Sequence, residues 1–305
     1  MSAPATPMRR PLDATAVGLM LLLTMLWGLQ QVAIKLALPG ISPLAQAALR
    51  SIFAALLLFG WARMRGIALR HAGDARNGTL VAGLACGALF AGEFMFIYTG
   101  LTHTTASRMV VFVYLAPVLT ALGLAWLVPG EKLAPLQWAG VFTAFAGLLL
   151  AFVDGFAAPG AGTLRGDSFG AIAAVLWATT TVLVRKSSLA QATAEKTLFY
   201  QLGVSALLLP LAAWALGEPG VVRLDAVVVA SLVFQSAIVA FASYLAWFWL
   251  LTRYLAGRLA VFSFLAPLFG VFFGVLILGE PLSAQFVLAA LLVGSGIALV
   301  NLRRA

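Results

Sequence analysis

The chain has 305 residues, 63% of them hydrophobic and 10% charged, with a mean hydropathy of +1.04. No water-soluble fold hides that much apolar surface, so the solvent is lipid. The net charge of +9 arises from Lys and Arg scattered between apolar runs, not gathered on one patch, which argues against a nucleic-acid partner.

Cutting the chain at its Gly, Pro and charged breaks gives ten apolar runs, at 14–38, 42–62, 77–100, 104–128, 133–153, 167–186, 194–216, 224–252, 257–279 and 283–302. Each is near the ~20 residues that cross ~30 Å of hydrocarbon, so the expected fold class is an all-α integral membrane protein with ten transmembrane helices. Arg9 and Arg10 precede the first run, which is too long for a signal-peptide core and lacks a small-residue cleavage site; it reads as a retained helix. Along it Thr24, Trp27, Gln31 and Lys35 recur at steps of three or four, with Gln30 alongside, a polar stripe unsuited to lipid. The second run holds Arg50 and the third holds Glu93, the one acid deep within a span. Counted at ~1.5 Å per residue, both lie roughly 10–12 Å from the outer surface. An ion pair between Arg50 and Glu93 would fix helix packing; alternatively, Glu93 is a cavity acid for a substrate ammonium or a proton.

Cys86, also in the third run, is the lone cysteine, which excludes an intrachain disulfide and a cysteine metal cluster. Pro117 in the fourth run and Pro267 in the ninth each free a backbone carbonyl and are candidate hinges. The sixth run offers Trp177, Thr180, Thr181 and Arg185, which mirrors the stripe of the first. The polar side chains of both stripes either line a cavity or bond helix to helix. Lys35 and Arg185 lie near helix C-termini, where the macrodipole and snorkelling account for them. Trp27, Trp177, Tyr98, Tyr114 and Tyr244 form a candidate aromatic cavity surface, whereas Trp126, Trp138, Trp247 and Trp249 lie near span ends and suit the interfacial belt. Gly83 with Gly87, and Gly270 with Gly274, form small faces for close helix packing, with dimerisation as the alternative; the chain is expected to be a monomer or weak dimer.

Topology follows from the cations. With the N-terminus inside, cytoplasmic segments hold Arg63, Arg65, Arg70, Arg76, Lys132, Lys186, Lys196 and Arg253 among others, and Lys35, Arg108, Arg165 and Arg223 stay outside. Both termini are then cytoplasmic. The chain also repeats itself: Ala106, Arg108, Val111, Phe112, Leu115, Ala116 and Pro117 return 150 residues later as Ala256, Arg258, Val261, Phe262, Leu265, Ala266 and Pro267. Leu26-Trp27 likewise returns as Leu176-Trp177. Residues 1–154 form one five-helix repeat, 155–166 a Gly/Pro-rich linker and 167–305 the second repeat. An odd number of helices per repeat inverts the second relative to the first, an arrangement suited to alternating access.

These features resemble the drug/metabolite transporter superfamily, EamA type. The resemblance rests on the two inverted repeats, Leu-Trp in the first helix of each, Leu-Ala-Pro in helices four and nine, and Gly130-Glu131 and Gly279-Glu280 after them. Lys132 follows the first glutamate where the pattern expects the proline seen at Pro281. Within the superfamily the chain is most similar to bacterial inner-membrane exporters of aromatic amino acids. The resemblance implies export through a cavity lined by helices one, three, four, six, eight and nine. No phosphate loop, catalytic carboxylate pair or metal constellation is legible, so neither an enzyme nor a cofactor is expected. The expected function is export of neutral or aromatic amino acids, with a proton-coupled exporter of drugs or quaternary ammonium cations as the alternative.

Overall fold

The computed structural model describes residues 12–101, 103–104, 106–153, 163–278 and 284–302. Among them the chain is helical throughout, apart from an isolated bridge between Ile41 and Val221. In order the helices are α1 (Ala14–Ala37), α2 (Pro43–Met64), α3 (Thr79–Leu101), α4 (Ala106–Val113), α5 (Ala116–Leu127), α6 (Pro135–Ala151) and α7 (Thr163–Lys186). They continue as α8 (Ala194–Ala215), α9 (Ala226–Val233), α10 (Tyr244–Arg253), α11 (Ala256–Phe262), α12 (Leu265–Leu278) and α13 (Ala284–Asn301). Eight helical stretches are long and apolar enough to cross a membrane, and two shorter apolar helices, Pro135–Ala151 and Gln285–Asn301, accompany them. The expected linker falls largely outside the described residues, as do Arg9, Arg10 and the Gly279-Glu280-Pro281 motif; its last four residues already belong to α7.

Around an apolar core, many large apolar side chains are nevertheless exposed while several polar ones are buried. Leu56, Val81, Leu207 and Leu291 are more than 60% exposed, while Gln46, Arg50, Ser205 and Gln235 are buried. A lipid solvent explains both, because apolar side chains lose nothing by facing it and polar ones must turn inward.

Two of the expected runs are broken helices. The fourth divides at Tyr114 and Leu115, the ninth at Ser263 and Phe264, in each case just before the proline of Leu-Ala-Pro. Pro117 and Pro267 carry no N–H for the carbonyl four residues back, and the chain tightens there to three-residue bonds such as Leu115 to Phe112 (3.2 Å) and Phe264 to Val261 (3.3 Å). The eighth run is continuous over 226–253, but Phe234–Ser243 winds as a π-helix between α9 and α10. Nothing in its composition announced that wider turn.

Packing follows the repeat. When each helix is exchanged for its counterpart in the other half, the largest contacts are preserved, although α5–α11 has no comparable counterpart between α12 and α4: α6 packs on α13 and α2 on α8, each pair mapping onto itself. The α1–α12 contact maps onto α7–α5, and α3–α7 onto the contact between α1 and the 226–253 stretch. Glycines permit the closest crossings. A Cβ on Gly140 would stand 2.6 Å from the Gly296 carbonyl oxygen, and one on Gly28 would stand 2.6 Å from the Phe269 Cβ, so α6 meets α13, and α1 meets α12, nearly backbone to backbone. Gly83 and Gly87 face Tyr200 and Val204 of α8, so these two glycines serve packing within the chain.

The loops at the two ends are tied in matching fashion. At the end that holds the start of α1, the Lys196 ammonium at the beginning of α8 donates to Asp74 Oδ1 (2.6 Å) in the α2–α3 loop. At the other end the Glu218 carboxylate in the α8–α9 loop accepts from the backbone N–H groups of Leu44 (3.0 Å) and Ala45 (3.3 Å), capping α2. The hydrogen bond from Lys196, followed by one from the His71 amide, holds the Asp74 carboxyl below its ordinary 3.8.

Candidate functional site

A central cavity of about 230 Å³ opens between the two halves. Trp27, Gln30, Gln31 and Ile34 of α1 line it, with Phe90, Glu93, Phe94, Ile97 and Tyr98 of α3. Met109, Val110 and Val113 of α4 and Tyr114 at the helix break continue the wall. The second half contributes Trp177, Thr180 and Thr181 of α7, Gln201 of α8, and Tyr244, Trp247 and Phe248 of α10. All ten side chains that the sequence nominated for a cavity therefore stand on one wall. Thr24 is buried behind it, its hydroxyl donating to the Met20 carbonyl (2.8 Å), and Lys35 is exposed near the end of α1.

The wall carries the repeat. Trp27 and Trp177, Gln30 and Thr180, Gln31 and Thr181, Phe94 and Tyr244, Ile97 and Trp247, and Tyr98 and Phe248 are each separated by the same 150 positions. Trp247, expected in the interfacial belt, is buried instead, packed edge-on against Trp27 with ring centres 5.8 Å apart. Distance from the helix end suggested that error, whereas the repeat offset from Ile97 would have placed it correctly. Phe90, Phe94, Gln201 and Phe248 were missed. Of these, Gln201 carried the clearest signal, an amide within an apolar run.

Trp27 Nε1 donates to Ser243 Oγ (3.0 Å), anchoring α1 to the end of the π-helix. Its ring also meets Tyr244 edge-on at 6.3 Å, Phe90 meets Tyr244 at 6.1 Å, and Tyr114 meets Trp177 at 5.6 Å. These edge-to-face contacts form a continuous aromatic lining. The Thr180 and Thr181 hydroxyls donate to the carbonyls of Leu176 (2.9 Å) and Trp177 (3.3 Å), so what remains for a ligand is acceptor capacity. Glu93 is the one carboxylate on the wall.

No ion pair joins Arg50 to Glu93, contrary to the expectation from equal depth. α2 and α3 touch little directly; α2 packs chiefly on α8, and α3 on α7 and then α8. Arg50 is instead fully buried behind the wall with its guanidinium carbon 4.1 Å from the centre of the Phe94 ring; it makes no well-formed hydrogen bond, and the Tyr244 hydroxyl is within its reach. The guanidinium lies against Phe94, the residue after Glu93, without pairing with the carboxylate.

Ion pairs form elsewhere. Arg185 does not snorkel: it is buried, pairs with Glu131 and donates to the Leu251 carbonyl (3.0 Å). Gly130, at φ +84°, lets the chain turn sharply just before Glu131, which gives the Gly-Glu motif a structural purpose. Toward the opposite end of α7, Asp167 pairs with Arg108 of α4 and accepts from Thr104 Oγ1 (2.8 Å). The helix bearing Trp177, Thr180 and Thr181 is thus fastened near both ends.

This architecture has relatives. Residues 14–153 and 164–302 each match the EamA-like transporter family. The chain belongs to that family. As an EamA-like transporter it lies within the drug/metabolite transporter superfamily. It is 31% identical over 270 residues to an uncharacterized transporter of Archaeoglobus fulgidus, covering 86% of this chain and 89% of the relative. It is 27% identical over 295 residues to an uncharacterized transporter of Bacillus subtilis, covering 96% and 93%. A solved crystal structure superposes with a TM-score of 0.76 at 22% identity, over 94% of this EamA-like chain and 97% of the other, which speaks for the fold. The two family matches divide the chain where the repeat offset does.

Proposed function

We propose that this EamA-like membrane transporter exports small metabolites, foremost neutral or aromatic amino acids, from the cytoplasm by alternating access around the central cavity. The observation that carries this reading is the cavity wall itself, built from residues paired at the repeat offset. Such a wall can close from either side by exchanging conformations between halves. In this reading ten helices span a bacterial inner membrane as two inverted repeats, 1–154 and 167–305, with both termini cytoplasmic. The breaks before Pro117 and Pro267 serve as hinges, and the chain acts as a monomer or weak dimer without a cofactor.

Volume and lining favour a small, partly aromatic substrate. At about 230 Å³ the cavity lies below the roughly 300–1,000 Å³ typical of drug-sized ligands. Three amides, two threonine and three tyrosine hydroxyls and one carboxylate provide the polar contacts, and the aromatic lining supplies stacking surface. Glu93 amid aromatic rings also supports a second reading, a proton-coupled exporter of lipophilic or quaternary ammonium cations.

The test is uptake into proteoliposomes containing this protein alone, using labelled amino acids and tetraphenylphosphonium, with and without a proton gradient. Uptake of phenylalanine, tyrosine or other neutral amino acids is expected. Movement of the cation alone, driven by the gradient, would replace the first reading with the second.

A further inference from the structure

Arg50 is the feature that the amino-acid reading leaves unexplained. Its guanidinium is fully buried without a well-formed hydrogen bond, and the neutral Tyr244 hydroxyl on the wall is within reach of it, so the positive charge has no anionic partner, a costly state in a membrane protein. Phe94 both lines the cavity and stacks on the guanidinium at 4.1 Å, so the charge sits one ring thickness behind the wall. Glu93, Tyr98 and Tyr244, all on the wall, are close enough to feel that charge. One stretch of cavity thus has a carboxylate on its surface and, just beneath, a cation with no anionic partner.

We propose that Arg50 is the binding group for the substrate carboxylate, reached when the Phe94 ring swings aside, and that Glu93 receives the ammonium of the same zwitterion. Opposite charges on adjacent elements select a molecule bearing both, and the aromatic lining takes its side chain. The inference rests on the amino-acid reading above and sharpens it: the substrate is a free α-amino acid, not an amine, an acid or a peptide-like amide. Phe94 stands between the guanidinium and the cavity and so covers the charge from it.

The experiment measures labelled L-phenylalanine uptake in proteoliposomes, with L-phenylalanine amide and 3-phenylpropionate as competitors. Neither should compete as well as unlabelled phenylalanine, because each lacks one charge. Losing a hydrogen-bonded charge contact should weaken binding about tenfold or more. Arg50→Gln should raise KM for phenylalanine by that factor while the relative potency of the amide rises, and Arg50→Lys should recover part of the loss. Glu93→Gln should do the same for 3-phenylpropionate.

Phenylalanine transport with the amide competing as strongly as the free acid would overturn the inference and leave the amino-acid reading intact. Loss of activity on replacing chloride with gluconate, with no discrimination against the amide, would also overturn it, by assigning Arg50 to a free anion. Absence of any amino-acid uptake, with tetraphenylphosphonium transported, would overturn both.

Discussion

Glu131 and Arg185 offer the sharpest test of the packing, because their side chains are only 3% and 4% exposed. Arg185→Leu removes the partner of Glu131 Oε1, and Oε2 already has none, so a carboxylate is stranded away from water. Breaking a buried ion pair on one side costs about 3–5 kcal/mol. At about 2–4 °C per kcal/mol, the melting midpoint should fall by about 6–20 °C. Cys86 is buried and is the lone thiol, so thermal unfolding in detergent can be followed with a thiol-reactive dye that reports its exposure. The double variant Glu131→Met with Arg185→Leu removes both charges and should recover most of the loss. Midpoints of the single variants within about 2 °C of wild type, or a double variant no better than the singles, would refute the pairing.

Other consequences can be checked in the same preparations. Gly140→Leu places a side chain where the Gly296 carbonyl oxygen lies 2.6 Å from a Cβ; it should separate α6 from α13, costing about 1–3 kcal/mol or more, read as a lower midpoint or lost expression. Trp27→Phe keeps the ring but loses the bond to Ser243, so stability should fall by about 0.5–1.5 kcal/mol, with a larger effect on transport than on folding if α1 moves against the π-helix. Because the Asp74 carboxyl is held below its ordinary 3.8, its contribution to stability is complete above that pH and fades as pH falls below it. Asp74→Asn should therefore lower stability near neutral pH and flatten the acid limb of a pH–stability curve, and an unchanged limb would remove Asp74 from that role. If Glu93 couples protons, Glu93→Gln should abolish any pH dependence of transport while exchange of bound substrate persists.

Much of the site was legible because membrane embedding makes polar residues conspicuous. Gln30, Gln31, Thr180 and Thr181 stood out against apolar neighbours, and the helical period placed them on one face before any packing was known. Aromatic residues were harder, since Trp and Phe serve lipid, interface and cavity alike; depth misassigned Trp247, which only its repeat partner Ile97 locates. Lateral contacts were the least readable. Arg50 and Glu93 do not pair, because α2 and α3 touch little, α2 packing mainly on α8 and α3 mainly on α7. The partners Glu131 and Arg185 lie 54 positions apart, and no spacing rule connects them. Helix breaks could be anticipated at Pro117 and Pro267, whereas the π-helix at 234–243 has no proline to mark it.

The most direct test of transport through this cavity is counterflow. Proteoliposomes loaded with unlabelled phenylalanine are diluted into a trace of the labelled amino acid, for the native protein and for Thr181→Trp, which fills the cavity. A transient overshoot of label with the native protein and none with an equally folded Thr181→Trp is the predicted result. No overshoot with the native protein, or an undiminished one with the cavity filled, would contradict it.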